Sequence, residues 1–132
     1  MTVHARGTFD VDLKPLEGDP AFAALGRLSI DKQFHGDLEA TSRGQMLSAL
    51  TGVEGSAGYV AIERVSGVLH GKRGAFLLQH HGIMAHGAGD LSIVVIPDSG
   101  TEELAGLAGT MTISIIDGQH SYDFAYSLPA AD

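Results

Sequence analysis

The chain has 132 residues, 44% of them hydrophobic and 18% charged, which is enough apolar material for one domain with its own core and too much for a disordered chain. A net charge of −8, with the eight Lys and Arg scattered rather than grouped, excludes nucleic acid or another polyanion as the natural partner. Cysteine is absent, which removes disulfides, thiolate metal sites and a cysteine nucleophile, and fits a reducing, cytoplasmic location.

No apolar run reaches the length of a membrane-spanning helix, and the start, MTVHARGTFDVDL, lacks the apolar centre of a signal peptide. No membrane partner is expected. Val3 to Leu13 alternates, with Val3, Ala5, Phe9, Val11 and Leu13 on one side and His4, Arg6, Asp10 and Asp12 on the other, the pattern of a half-buried strand. LKPLEGDP breaks it into a loop, and AFAAL has room for one helical turn. Arg27 opens a hairpin, RLSIDKQFHGDLEATSRG. A tight turn at His35-Gly36 would set Lys32 opposite Glu39 as an exposed charge pair worth about 0.2–1 kcal/mol. MLSAL continues the returning strand, and TGVEGSAG is a glycine-rich connection.

The stretch that follows, GYVAIERVSGVLHGKRGAFLLQHHGIMAHG, reads as two long strands folded at His70-Gly71. A two-residue turn there sets Val65 opposite Phe76, Glu63 opposite Leu78, Ala61 opposite His80 and Tyr59 opposite Gly82. One face carries Tyr59, Glu63, Val65, Phe76, Leu78, His80 and Met84. The other carries Val60, Ile62, Arg64, Leu77, Gln79, His81 and Ile83. Glu63 and His80 are then diagonal neighbours on one face, roughly 7–8 Å apart at their backbones and within side-chain reach.

After His86-Gly87, DLSIVVIP is a strand with β-branched residues on both faces. PDSGTEELAGLAG is a loop with a helical turn, and Ser99 followed by Glu102 has the spacing of a capping box. In the last hairpin Asp117-Gly118 sets Met111, Ile113 and Ile115 against Phe124, Tyr122 and His120, with Thr112, Ser114 and Ile116 against Asp123, Ser121 and Gln119. The sum is an all-β chain of about eight strands with at most one or two short helical turns. Closure into an antiparallel up-and-down barrel is the simplest way to remove the exposed edges.

The central hairpin, the run PDSGTEELAGLAGTMTISIIDGQHSYDFAY and the segment His35-Gly36-Asp37-Leu38-Glu39 together resemble a family of small bacterial proteins of unknown function associated with the allene-oxide-cyclase-like barrel. The likeness covers well over half the chain. It implies an eight-stranded antiparallel barrel and oligomers, and it carries over no catalytic set. One departure is Glu102, where the family's SGTGEL form has glycine.

Of the seven histidines, His35, His70 and His86 each precede glycine at a predicted turn and are read as turn formers, since histidine tolerates positive φ. His80 and His81 are strand neighbours pointing to opposite faces, and no HExxH or His-x-His spacing occurs. No metal or cofactor is expected. Glu63 with His80 is the better candidate site, because an inward carboxylate beside an imidazole can act as an acid–base pair. The plainer alternative is a structural pair that fixes strand packing.

The candidate ligand-lining set is Tyr59, Phe76, Leu78, His120 and Tyr122, with core aromatics as its structural counterpart. Two functions fit. One is a module that holds a small, partly apolar ligand in the barrel. The other is a cofactor-free isomerase or cyclase that uses Glu63 and His80. Strands apolar on both faces, at Val60, Ile62, Leu77 and Ile83, point to a homodimer or higher homo-oligomer.

Overall fold

In the computed structural model, which describes residues 2–18, 20–22 and 25–129, eight antiparallel strands close into a barrel in which each strand pairs with the next and the last returns to the first. They are β1 (Val3–Leu16), β2 (Leu25–Gly36), β3 (Leu38–Leu50), β4 (Ala57–Leu69), β5 (Lys72–Ala85), β6 (Ala88–Val95), β7 (Ala108–Ile116) and β8 (Gln119–Ser127). Two short 3-10 turns, Pro20–Phe22 and Glu102–Leu104, are the helical content among the described residues. No helix among them is long and apolar enough to cross a membrane.

Three of the tight turns are local in origin. His70-Gly71 has φ of 46° and 81°, His86-Gly87 of 50° and 88°, and Asp117-Gly118 of 52° and 80°. Positive φ at both central residues is the hairpin geometry that matches the right-handed twist of the strands. The registers follow from it: Glu63 pairs with Leu78 and Ala61 with His80 across β4–β5, and Ile113 pairs with Tyr122 across β7–β8. Gly82 stays in register opposite Tyr59, and a Cβ there would come 2.4 Å from Tyr59 Cε1, so the missing side chain makes room for the ring.

The β2–β3 connection departs from expectation. Its last regular pair is Phe34 with Ala40, which places Lys32 opposite Ser42 rather than Glu39. The reason is a distant side chain. The Tyr122 hydroxyl of β8 accepts from Leu38 N at 2.9 Å and donates to the His35 carbonyl at 2.9 Å, so it pins a wider corner. Glu39 folds back to accept from Gly36 N at 2.8 Å, and Asp37 accepts from Arg6 N at 2.9 Å. Lys32 is therefore not half of an exposed pair; it is buried inside the barrel.

The capping box at Ser99 does not form either. Ser99 Oγ donates to the Ile96 carbonyl at 2.6 Å and accepts from Leu77 N at 3.1 Å, while Thr101 Oγ1 accepts from Ala75 N at 3.0 Å. These residues satisfy the edge of β5 beyond the end of β6, a stronger demand than capping a single turn.

The two halves of the barrel differ. Around the His35–Glu39 corner and the His70-Gly71 turn the lumen is filled. Phe76 stacks on Phe124 (5.6 Å, 12°) and Phe124 on Tyr126 (5.3 Å, 29°), while Phe34 meets Tyr122 edge-on (5.6 Å, 76°). Leu104 and Leu107 seal that end. Towards the His86-Gly87 and Asp117-Gly118 turns, inward-facing Leu13, Met84, Leu91 and Ile115 are exposed, so the lumen opens to solvent there. β6 and β7 are joined by a single pair, Val94 with Thr110.

Candidate functional site

Where the filled half gives way to the open half, three ionisable side chains from three strands meet. Lys32 Nζ on β2 donates to Glu63 Oε2 on β4 at 2.9 Å, and Ser42 Oγ on β3 donates to Glu63 Oε1 at 2.8 Å. His80 Nε2 on β5 lies 2.6 Å from Glu63 Oε2. That contact is within hydrogen-bond reach, and Nε2 has no other partner among the described residues. Nδ1 of His80 makes no hydrogen bond within the described residues.

The group is buried throughout, with Glu63 0% exposed, His80 4% and Lys32 8%. Burial pushes the Glu63 carboxyl up, but the His80 contact and the Lys32 charge outweigh it and hold the group well below the usual carboxylate range. One lysine balances one carboxylate in the Lys32–Glu63 pair. Lys32 is further held over the faces of Phe9 and Phe34, its Nζ 5.0 Å and 5.7 Å from the ring centroids.

The backbone makes room for this arrangement. Gly44 of β3 lies opposite Glu63, and a Cβ there would come within 2.1 Å of the Ile62 carbonyl. Only glycine lets β3 approach β4 so closely, and the short side chain of Ser42 completes the fit.

Above the cluster lies an open pocket of about 220 Å³, whose wall includes Phe9, Ile30, Lys32, His80, Ile113 and His120. A second pocket of about 530 Å³ at the barrel mouth is lined by Ile83, Met84 and Leu91 among others. Met46 and Tyr59 belong to both walls. The phenol of Tyr59 is held above its ordinary value by burial and by the negative charge of Glu63, so it keeps its proton.

A family model described as "Protein of unknown function (DUF3224)" matches residues 5–126. The chain belongs to that family. A crystal structure of a DUF3224 protein of unknown function from Shewanella oneidensis MR-1 is 50% identical, with 99% of this chain and 100% of that one covered, at a TM-score of 0.93. No curated protein matches the chain. The DUF3224 barrel is therefore shared by two sequences of which half the positions differ.

The expected site residues divide between the halves of this DUF3224 barrel. Glu63, His80, Tyr59 and His120 border the open half, with Glu63 beneath the pocket and the other three in its wall. Phe76 and Leu78 lie in the packed core, and the Tyr122 hydroxyl is occupied by the backbone of the β2–β3 corner. Lys32 and Ser42 are the members that sequence reasoning missed. The signal for Lys32 was there: it shares strand parity with Leu28, Ile30 and Phe34, while Ser29, Asp31 and Gln33 take the other face. No set of His, Asp or Glu side chains among the described residues is grouped to hold a metal ion.

Proposed function

We propose that this chain binds a small, partly apolar molecule in the open half of its barrel, with His80 as the main polar contact. The observation that carries the reading is a buried, charge-balanced Lys32–Glu63–His80 cluster beneath an otherwise apolar pocket of about 220 Å³. A core that needed only packing would be filled with side chains here, as the opposite end is. Apolar walls with a few convergent polar groups are the usual makeup of a ligand site. Nile red, an uncharged polarity-sensitive dye, tests it. Its fluorescence should rise on binding the wild-type protein and should not rise with Met46→Trp, which fills the wall shared by both pockets. Equal binding by the two proteins would remove the reading.

A second reading, a cofactor-free isomerase or cyclase, is favoured by the carboxylate–imidazole contact itself, because Glu63 orients the His80 ring. In that reading Glu63, hydrogen-bonded at both oxygens and held at low basicity, positions the imidazole, and the imidazole takes the proton. Glu63→Gln would then lose turnover and keep ligand binding, whereas a carrier has no turnover to lose.

Three further parts of the proposal rest on the sequence and the surface. The cysteine-free composition supports a cytoplasmic location. Strand number and lumen support an allene-oxide-cyclase-like barrel. The exposed apolar outer face supports self-association.

A further inference from the structure

We infer that the ligand is an uncharged amphiphile, an apolar chain ending in a hydroxyl-type donor, whose donor hydrogen-bonds to Nδ1 of His80. This rests on the proposal that the open half of the barrel binds a ligand. Three observations lead to it.

The first is charge. Lys32 and Glu63 neutralise each other, and Lys32 is also held over Phe9 and Phe34, so no free cation remains in the pocket to receive an anion. Asp90, in the wall of the outer pocket, and a net charge of −8 oppose an anion further. A carboxylate brought here would be buried without a partner, a heavy cost.

The second is hydrogen-bond polarity. Nε2 of His80 faces a carboxylate oxygen at 2.6 Å, so Nε2 is the ring nitrogen placed to donate there. With the N–H on Nε2, Nδ1 is the acceptor nitrogen, and it has no hydrogen-bond partner within the described residues. The group it seeks is a donor, such as a hydroxyl.

The third is the shape of the remaining space. Met46 and Tyr59 link the small pocket over His80 to the larger one, whose inward-facing Met84 and Leu91 suit a chain. His120 is the other polar ring at the pocket, and it packs against Phe9 at 5.1 Å between centroids.

Displacement of Nile red by three probes of equal chain length tests this at neutral pH: n-octanol, octanoate and methyl octyl ether, which accepts a hydrogen bond but cannot donate one. Octanol should displace the dye at a concentration at least about tenfold below octanoate and about three- to tenfold below the ether. His80→Phe should erase the difference between octanol and ether, and His120→Phe should leave it. The inference is overturned if octanoate matches octanol, if the ether matches octanol, if none of the three displaces bound dye, or if His120→Phe rather than His80→Phe removes the preference. The wild-type series decides alone should His80→Phe fail to fold. Absence of dye binding to wild type would instead bring down the lumen-binding reading, and this inference with it.

Discussion

At the scale of single residues, the buried Lys32–Glu63 pair couples stability to the charge balance of the cluster. Each charge has been taken out of water, so the pair is tolerable only while both members are present. Lys32→Met should therefore destabilise the protein by about 3–5 kcal/mol, because it strands the carboxylate. Lys32→Met combined with Glu63→Met should cost less than either change alone. Denaturant titrations of the four proteins measure that coupling, and additive losses would contradict it.

The acid limb gives a second test. The Glu63 carboxyl is lowered from 4.5 to about 2 in the folded chain. A depressed folded value means that its stabilisation is complete above the ordinary carboxylate range and is lost as pH falls through that interval, by about 3 kcal/mol in all. Glu63→Gln should flatten the stability profile there by a comparable amount. A third residue-scale test is Glu102, whose backbone is left-handed at φ 52°. Left-handed backbone strains a side chain that glycine lacks, so Glu102→Gly should stabilise by about 0.5–1 kcal/mol in thermal or denaturant unfolding.

At the scale of elements, the corner between β2 and β3 depends on a strand far away in sequence. Tyr122→Phe keeps the ring in the core and removes only the hydroxyl, which leaves Leu38 N and the His35 carbonyl without their partner. The expected cost is about 1–3 kcal/mol, with faster amide exchange confined to 35–39. Exchange spread evenly over the barrel would speak against a local pin.

The same corner shows why part of the fold was legible and part was not. His70-Gly71 and Asp117-Gly118 adopt positive φ for local reasons, and those dipeptides alone set two hairpin registers correctly. His35-Gly36 looks alike in sequence, yet Tyr122 rebuilds it from outside, and no local pattern reports that. With the register went Lys32, read as a surface charge and found as the counter-ion of Glu63. The inward placement of Glu63 and His80 could be read because alternation and one true turn were enough. Which half of the lumen would be filled could not be read, because packing at one end comes from Leu104 and Leu107 of a loop that has no strand periodicity.

At the scale of the whole molecule, the barrel combines a solid, packed half with an open half that carries the proposed site. Its outer wall is also incompletely polar, with Val60 at 52%, Ile62 at 50% and Ile83 at 60% exposure on the single chain. Sedimentation should accordingly give more than the mass of one chain at micromolar concentration, and Ile62→Lys should lower it. A monomer in both proteins would leave that face without an explanation. The most direct test of the site uses the methionines, because Met46 and Met84 line the open half while Met111 packs opposite Phe124 in the closed half. Titration of methyl-labelled protein with n-octanol should shift the Met46 and Met84 resonances and leave Met111 in place. Unmoved Met46 and Met84, or an equal shift of Met111, would contradict a ligand seated above Lys32, Glu63 and His80.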